Sequence, residues 1–144
     1  MEQVVISALS RITKLAESVR VKMEELNEKT GSTLYGEDLR CMCAIASGEL
    51  WRILSRVNLN AELILCSGKC WSHVLVHCKG YYIDVTATQF GDHPRVVIMT
   101  EEEYQAREEW YWKEEAVRFA TDIELHQYQQ EKYWPDEQLC LQEI

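Results

Sequence analysis

The sequence predicts a single α+β domain, on three observations. Apolar residues recur at helical spacing near the start, short β-type runs separated by turn residues fill the middle, and a second helix-type stretch begins near residue 100. The chain's 144 residues suffice for one core that buries about two-thirds of the surface of the unfolded chain, and are short for two.

Val5, Ala8, Ile12, Leu15, Val19, Met23 and Leu26 fall at steps of three and four, which is one face of a long first helix. Arg11, Lys14, Glu17, Glu24 and Glu28 lie between them on the solvated side. Thr30-Gly31-Ser32 ends this helix, because Gly31 tolerates the left-handed terminating conformation. A second helix is predicted over 43–56, where Ala44, Ala46 and Leu50 favour helix and Trp51, Ile53 and Leu54 supply bulk. Strands are predicted over 61–66, 71–78, 81–86 and 95–99. Lys79-Gly80 makes the second and third an antiparallel hairpin with a two-residue turn. Thr100-Glu101-Glu102-Glu103 reads as a capping box, with acids at the positive end of a helix. That helix is expected to carry Tyr104, Trp110, Tyr111, Trp112, Val117, Phe119 and Ile123 and to run to about Lys132, ahead of Pro135. The C-terminal helical extension is thus expected over 100–134.

With 15 basic and 24 acidic residues the formal charge is −9. General nucleic-acid binding and adhesion to anionic membranes both need basic patches, so neither is expected. No apolar run approaches the ~20 residues that span a bilayer. Met1-Glu2-Gln3 lacks the basic start and apolar block of a signal peptide. The expected compartment is the cytosol. There the six cysteines are buried thiols, metal ligands or nucleophiles rather than bridges.

Cys43 opens the second predicted helix, where the partial positive charge of a helix N-terminus favours thiolate. His73 lies in the first arm of the hairpin and Asp84 in the second. Around a two-residue Lys79-Gly80 turn, position 75 faces 84 and His73 faces Thr86. His73 and Asp84 are then diagonal neighbours, roughly 7–8 Å apart at the backbone and within side-chain reach. An imidazole there exchanges a proton with the thiol, and a carboxylate fixes its tautomer. Asp84 stands inside the apolar run Tyr82-Ile83-Asp84-Val85, where an acid is costly to bury without a partner.

Alternatives stand beside these residues. His77 lies two steps from His73 on the same strand face and is the rival base under another register. Gln89 is a possible side-chain donor to an oxyanion, as is the backbone N–H of Cys43. Trp71 lines a substrate groove or packs in the core. Cys66, Cys70 and Cys78 with His73 imitate a zinc set, but no second well-spaced couple is present and no metal or other cofactor is expected. His126 has no paired ligand at helical spacing. Trp110-Tyr111-Trp112, Tyr128, Tyr133 and Trp134, with the acidic run Glu101–Glu103, Glu108, Glu109, Glu114 and Glu115, mark the C-terminal helix as an alternative protein-docking surface.

The run Cys43-Ala44-Ile45-Ala46-Ser47, Leu50, Leu54, Ala61-Glu62-Leu63, His73-Val74-Leu75-Val76 and Gly80-Tyr81-Tyr82-Ile83-Asp84-Val85-Thr86-Ala87-Thr88-Gln89-Phe90 resembles the core of the transglutaminase-like, papain-related cysteine peptidase superfamily, which includes small bacterial and phage members. The resemblance covers roughly residues 39–90. It implies a papain-like core, with a nucleophile helix packed on a small antiparallel sheet and long flanking helices. It also implies Cys43 as nucleophile, His73 as general base and acid, and Asp84 as orienting carboxylate. The chain departs from the family pattern around the nucleophile, where Arg40-Cys41-Met42 precede and Ala44 follows, so Cys41 is a rival nucleophile. The activity implied is acyl transfer from an amide or ester, in a peptidase, amidase, deamidase or transglutaminase, with a protein or peptide substrate. The alternative is a non-enzymatic acidic interaction protein, of inhibitor, immunity or adaptor type, on the same fold.

Overall fold

The computed structural model describes residues 2–29, 43–67, 72–90, 93–106 and 115–132. Among them the chain forms α1 (Glu2–Lys29), α2 (Cys43–Arg56), β1 (Ala61–Ser67), β2 (Ser72–Cys78), β3 (Tyr81–Asp84), a 3-10 turn (Ala87–Phe90), β4 (Val97–Thr100), α3 (Glu101–Ala106), β5 (Glu115–Phe119) and α4 (Asp122–Lys132). The strands make one antiparallel sheet in the order β4-β3-β2-β1-β5. The architecture is α+β. Among the described residues no helix is long and apolar enough to cross a membrane.

Alternation along the strands divides the core between the two faces of the sheet. Leu63, Leu65, Val74, Val76, Ile83, Val85 and Phe119 cluster with Ile12, Ala16, Val19 and Met23 of α1, Ala46, Leu50 and Leu54 of α2, and Leu125 of α4. Ile64, Cys66, Leu75, Tyr82, Val97 and Met99 cluster with Tyr104 of α3. Ile12, Val19 and Met23 of the expected α1 face are buried, and the face departs from expectation at its end. Leu26 is 42% exposed, while Asn27, four residues after Met23, takes the inward position. Arg20, which the apolar pattern does not include, is buried.

α2 has the predicted bounds, and its exit has a physical cause. Asn58 adopts φ 62°, a conformation that asparagine reaches more readily than most residues. Its N–H donates to the Ser55 carbonyl, and the Leu59 N–H donates to the Leu54 carbonyl at 2.9 Å. This is the Schellman pattern, with Leu59 buried in the same cluster as Leu54. The Trp51 indole N–H is shared between the carbonyls of Ala61 and Ala120, which ties α2 to the start of β1 and the end of β5.

The hairpin has the expected register: Val76 faces Ile83, His77 faces Tyr82 and Cys78 faces Tyr81. Lys79 and Gly80 both have positive φ, 53° and 84°, as a two-residue type I′ turn requires. The Thr100 capping box forms reciprocally, Thr100 N–H to Glu103 and Glu103 N–H to the Thr100 hydroxyl.

The expected continuous C-terminal helix over 101–132 is corrected by the structure. α3 ends at Ala106, residues 115–119 form β5, and α4 begins at Asp122. β5 pairs with β1 through Leu63–Phe119 and Leu65–Val117, so Val117 and Phe119 face the core while Arg118 is exposed. Pairing satisfies the free edge of β1, a gain that no local helix propensity offers. α4 starts at its own cap, with the Glu124 N–H donating to the Thr121 hydroxyl. Tyr128 turns inward onto Phe119, ring centroids 5.2 Å apart, and so is not part of an outer docking face. Thr30-Gly31-Ser32, Trp110, Tyr111, Trp112, Tyr133 and Trp134 lie outside the described residues, as do Glu108, Glu109 and Glu114.

One helix over 101–132 would place Phe119 and Ile123 on the same face; the structure gives them opposite environments, 8% and 66% exposed. Phe119→Ala is expected to lower the unfolding free energy by about 3–4 kcal/mol. Ile123→Ala is expected to change it by less than about 0.5 kcal/mol. Urea denaturation of both variants checks this, and equal costs would contradict β5.

Candidate active site

The site forms where the β2–β3 ladder stops. In a two-residue hairpin the pair flanking the turn exchanges hydrogen bonds, and every second pair beyond it does the same. Cys78–Tyr81, Val76–Ile83 and Val74–Val85 are therefore the bonding positions. The ladder ends at Val76–Ile83. One cause is Asp84, whose Oδ1 accepts the Thr86 N–H at 2.8 Å. A carboxylate that bonds the backbone two residues on bends the chain out of the strand.

The opening leaves the N–H and C=O of Val74 without their strand partners, and α2 supplies replacements. The Ser47 hydroxyl donates to the Val74 carbonyl at 2.9 Å. The Val74 N–H donates to the Cys43 sulfur. Cys43 and Ser47 are one turn apart on the same helix face. On the other side of the gap the Val85 carbonyl accepts from the Arg20 guanidinium at 2.9 Å.

Within this gap Cys43, His73 and Asp84 meet. His73 Nε2 lies 2.7 Å from Asp84 Oδ2, and neither side chain has any exposed surface. Cys43 is half-buried and hydrogen-bonded to the His73 imidazole. With Nε2 held by Asp84, Nδ1 is the nitrogen left for the sulfur. Burial opposes charge on His73, but the Asp84 carboxylate and then Cys43 outweigh it, and its pKa rises to about 10. Burial likewise opposes a thiolate at Cys43, as does the charge of Asp84. The His73 hydrogen bond and charge and the Val74 N–H outweigh them, holding the thiol below its ordinary range. Both shifts favour the imidazolium–thiolate form of the pair over the neutral one. The first turn of α2 has no acidic residue, so nothing there competes with the thiolate for the helix dipole. An activated thiolate beside an oriented acid–base group is the equipment for covalent catalysis.

The other residues singled out in the sequence stand apart. His77 lies 3.5 Å from Glu62 and packs its ring on Tyr82 at 4.7 Å, away from the sulfur. Cys66 is hydrogen-bonded to the Tyr104 hydroxyl at 3.2 Å, and burial pushes the Cys78 thiol up. Tyr104 stacks on Tyr82 at 3.9 Å. Tyr82, pushed up to about 12 chiefly by burial, accepts from Arg118 at 2.8 Å. Among the described residues no group of three or more His, Cys, Asp or Glu side chains is placed to hold a metal ion. His126 is exposed on α4 with Gln130 as its neighbour. Gln89 sits in the 3-10 turn just beyond Asp84, with its side chain outside the described residues, as are Cys41, Cys70 and Trp71. Sequence reasoning passed over three residues here. Ser47 was signalled by its four-residue step from Cys43 and Thr86 by its two-residue step from Asp84; Arg20 had no local signal.

Comparisons of the chain with family models, with curated proteins and with solved structures each give no match.

The ion pair has a consequence for stability. A raised His73 pKa contributes stability that is full below the unfolded value near 6.5 and is lost as pH rises toward 10. A lowered Cys43 pKa contributes stability that is full above the unfolded value near 9.0 and is lost as pH falls. Between those two values the slopes oppose each other, because the native site holds a proton on His73 that the unfolded chain loses and favours losing one from Cys43 that the unfolded chain keeps. Cys43→Ala leaves the His73 slope alone. Its stability relative to the unaltered protein is expected to fall as pH rises from about 6.5 to 9. Urea unfolding of both proteins across this range checks the sign.

Proposed function

We propose that this chain performs cysteine-dependent acyl transfer on an amide or ester, using Cys43 as nucleophile, His73 as general acid and base and Asp84 as orienting carboxylate. The observation that carries this reading is the continuous contact from the sealed Asp84 carboxylate through His73 to the half-buried Cys43 sulfur. The order of cysteine on a helix start, histidine on a strand and aspartate on the next strand supports a transglutaminase-like, papain-related core. So does the resemblance of residues 43–47 and 82–90 to that superfamily.

In the reaction the Cys43 thiolate adds to the carbonyl carbon of the substrate. The oxyanion that forms faces the free backbone N–H groups at the start of α2. The His73 imidazolium then gives its proton to the departing amine or alcohol, leaving a thioester on Cys43 and a neutral imidazole. A water or a second amine next loses its proton to His73 as it attacks the thioester. The sulfur departs as thiolate, and imidazolium and thiolate are restored. Water as acceptor makes the chain a peptidase, amidase or deamidase; an amine makes it a transglutaminase. A protein or peptide is the acyl donor this reading favours.

Trapping with a panel of peptide and ester donors, read by mass spectrometry, tests the proposal. The expected adduct is a thioester on Cys43, retained in Cys41→Ala and lost in Cys43→Ala. Asp84→Asn is expected to slow acylation by about a thousandfold or more, since the imidazole loses its tautomer control. A Cys43 that reacts with iodoacetamide no faster than a free cysteine at about pH 6–7 would sink the proposal. A reactive thiol that no donor acylates would leave the acidic interaction protein as the better account.

A further inference from the structure

Arg20 lies on the α1 face that meets the site, 3% exposed. A guanidinium so buried needs its donors satisfied, and its partners define what it does. Nη1 donates to the Val85 carbonyl at 2.9 Å and to the Thr88 hydroxyl at 3.0 Å. Nε donates to Glu24 Oε2 at 3.1 Å, and Arg95 donates to both oxygens of the same carboxylate, sharing Oε2 with Arg20. Glu17 and Val21 of α1, with Pro94 and Val96, border the same place. Glu24, Arg95 and Glu17 are thus the charged groups around Arg20. Arg20 bridges from α1 to the backbone after Asp84.

The Val85 carbonyl is the group that a continued β2–β3 ladder would offer to the Val74 N–H. Closing that bond would take from Cys43 the backbone donor that helps hold its thiolate. It would also draw the chain after Asp84 toward β2, out of the turn in which the Thr86 N–H reaches the carboxylate. We infer that Arg20 is a positioning residue: by taking the Val85 carbonyl it keeps the strand ladder open, so that the Val74 N–H serves the Cys43 sulfur and Asp84 keeps its turn. This inference rests on the Cys43–His73–Asp84 reading above and adds to it a residue remote in sequence that makes no contact with the reacting atoms.

Two substitutions and one spectrum test it. Arg20→Met keeps the length and apolar stem but no donor; Arg20→Lys keeps one donor and the charge. In Arg20→Met, alkylation of Cys43 at about pH 6 is expected to fall about tenfold relative to its rate at about pH 9, the change that one unit of thiol pKa produces. Arg20→Lys is expected to recover most of that loss. A role confined to stability would lower the melting temperature and leave this pH profile unmoved. Circular dichroism establishes that each variant is folded. For the case in which Arg20→Met does not fold, the unaltered protein supplies the second readout. Its Val74 amide resonance is expected to shift as the Cys43 thiol titrates. An amide that stays fixed through that titration overturns the inference, as does a folded Arg20→Met with the unaltered pH profile. If the unaltered thiol itself alkylates like free cysteine, the triad reading falls and this inference with it. A reactive unaltered thiol whose profile Arg20→Met does not move removes the Arg20 inference alone.

Discussion

Asp84 makes two demands on the structure through its two oxygens. Oδ2 takes the imidazole of His73, and Oδ1 takes the backbone N–H of Thr86. The first bond orients the acid–base group. The second ends β3 at the same residue and opens the gap that α2 enters. A carboxylate held only by His73 would sit on a strand that continued alongside β2, and the Val74 N–H would be consumed by the ladder. A carboxylate held only by the Thr86 turn would leave the buried His73 imidazole without the largest of the interactions that favour its charge. The orientation of His73 and the local break in the sheet therefore share one residue as their origin.

Burying these groups is costly in isolation, several kcal/mol for each ion even after relaxation. The structure offsets this with hydrogen bonds to each of them. Asp84 has His73, the Thr86 N–H and, at 3.4 Å, the Thr86 hydroxyl. His73 has Asp84 on one nitrogen and Cys43 on the other. Cys43 has the Val74 N–H and the dipole of α2. Two acidic groups flank one basic group, and the charge of Asp84 opposes a second negative charge on Cys43. That makes the missing acid in the first turn of α2 informative, since a carboxylate there would push against the thiolate. Such an arrangement loses more when one member is removed than a surface ion pair does, because the remaining charge stays buried.

Much of this was legible in the sequence because it is encoded locally. A two-residue turn with glycine at its second position sets the hairpin register, and the register alone puts His73 and Asp84 within reach. An acid within an apolar strand announces that it has a partner. The bounds of α2 follow from its helix formers and its asparagine exit. What was not legible depends on contacts distant in the chain. β5 is surrounded by glutamate, arginine and aromatic residues that suit a helix equally well, and only the free edge of β1 makes it a strand. Its alternation, Ala116 and Arg118 against Val117 and Phe119, spans too few residues to outweigh a helical pattern on both sides. The Thr121-Asp122-Ile123-Glu124 cap was a local sign of a new helix start, and reading one long helix across it hid the strand. Arg20 reads as one more solvated base between Val19 and Val21, because the carbonyl it serves lies 65 positions away.

The pattern of exposure constrains how the proposed chemistry proceeds. His73 and Asp84 are fully enclosed, and Cys43 is the half-buried member of the three. His73 has no exposed surface, so in the proposed reaction its proton passes to the sulfur or to a group docked against the sulfur and Nδ1. A leaving amine that reaches the imidazole over Cys43 collects the proton at the moment its bond to carbon breaks, whereas a thioester left without an acceptor holds a neutral imidazole that only an incoming nucleophile can protonate again. The enclosure that makes the ion pair stable also makes proton return depend on the second substrate. Under the proposed reaction, access to one sulfur atom would decide between hydrolysis and transamidation, since the nucleophile able to stand between the thioester and Nδ1 would complete the cycle.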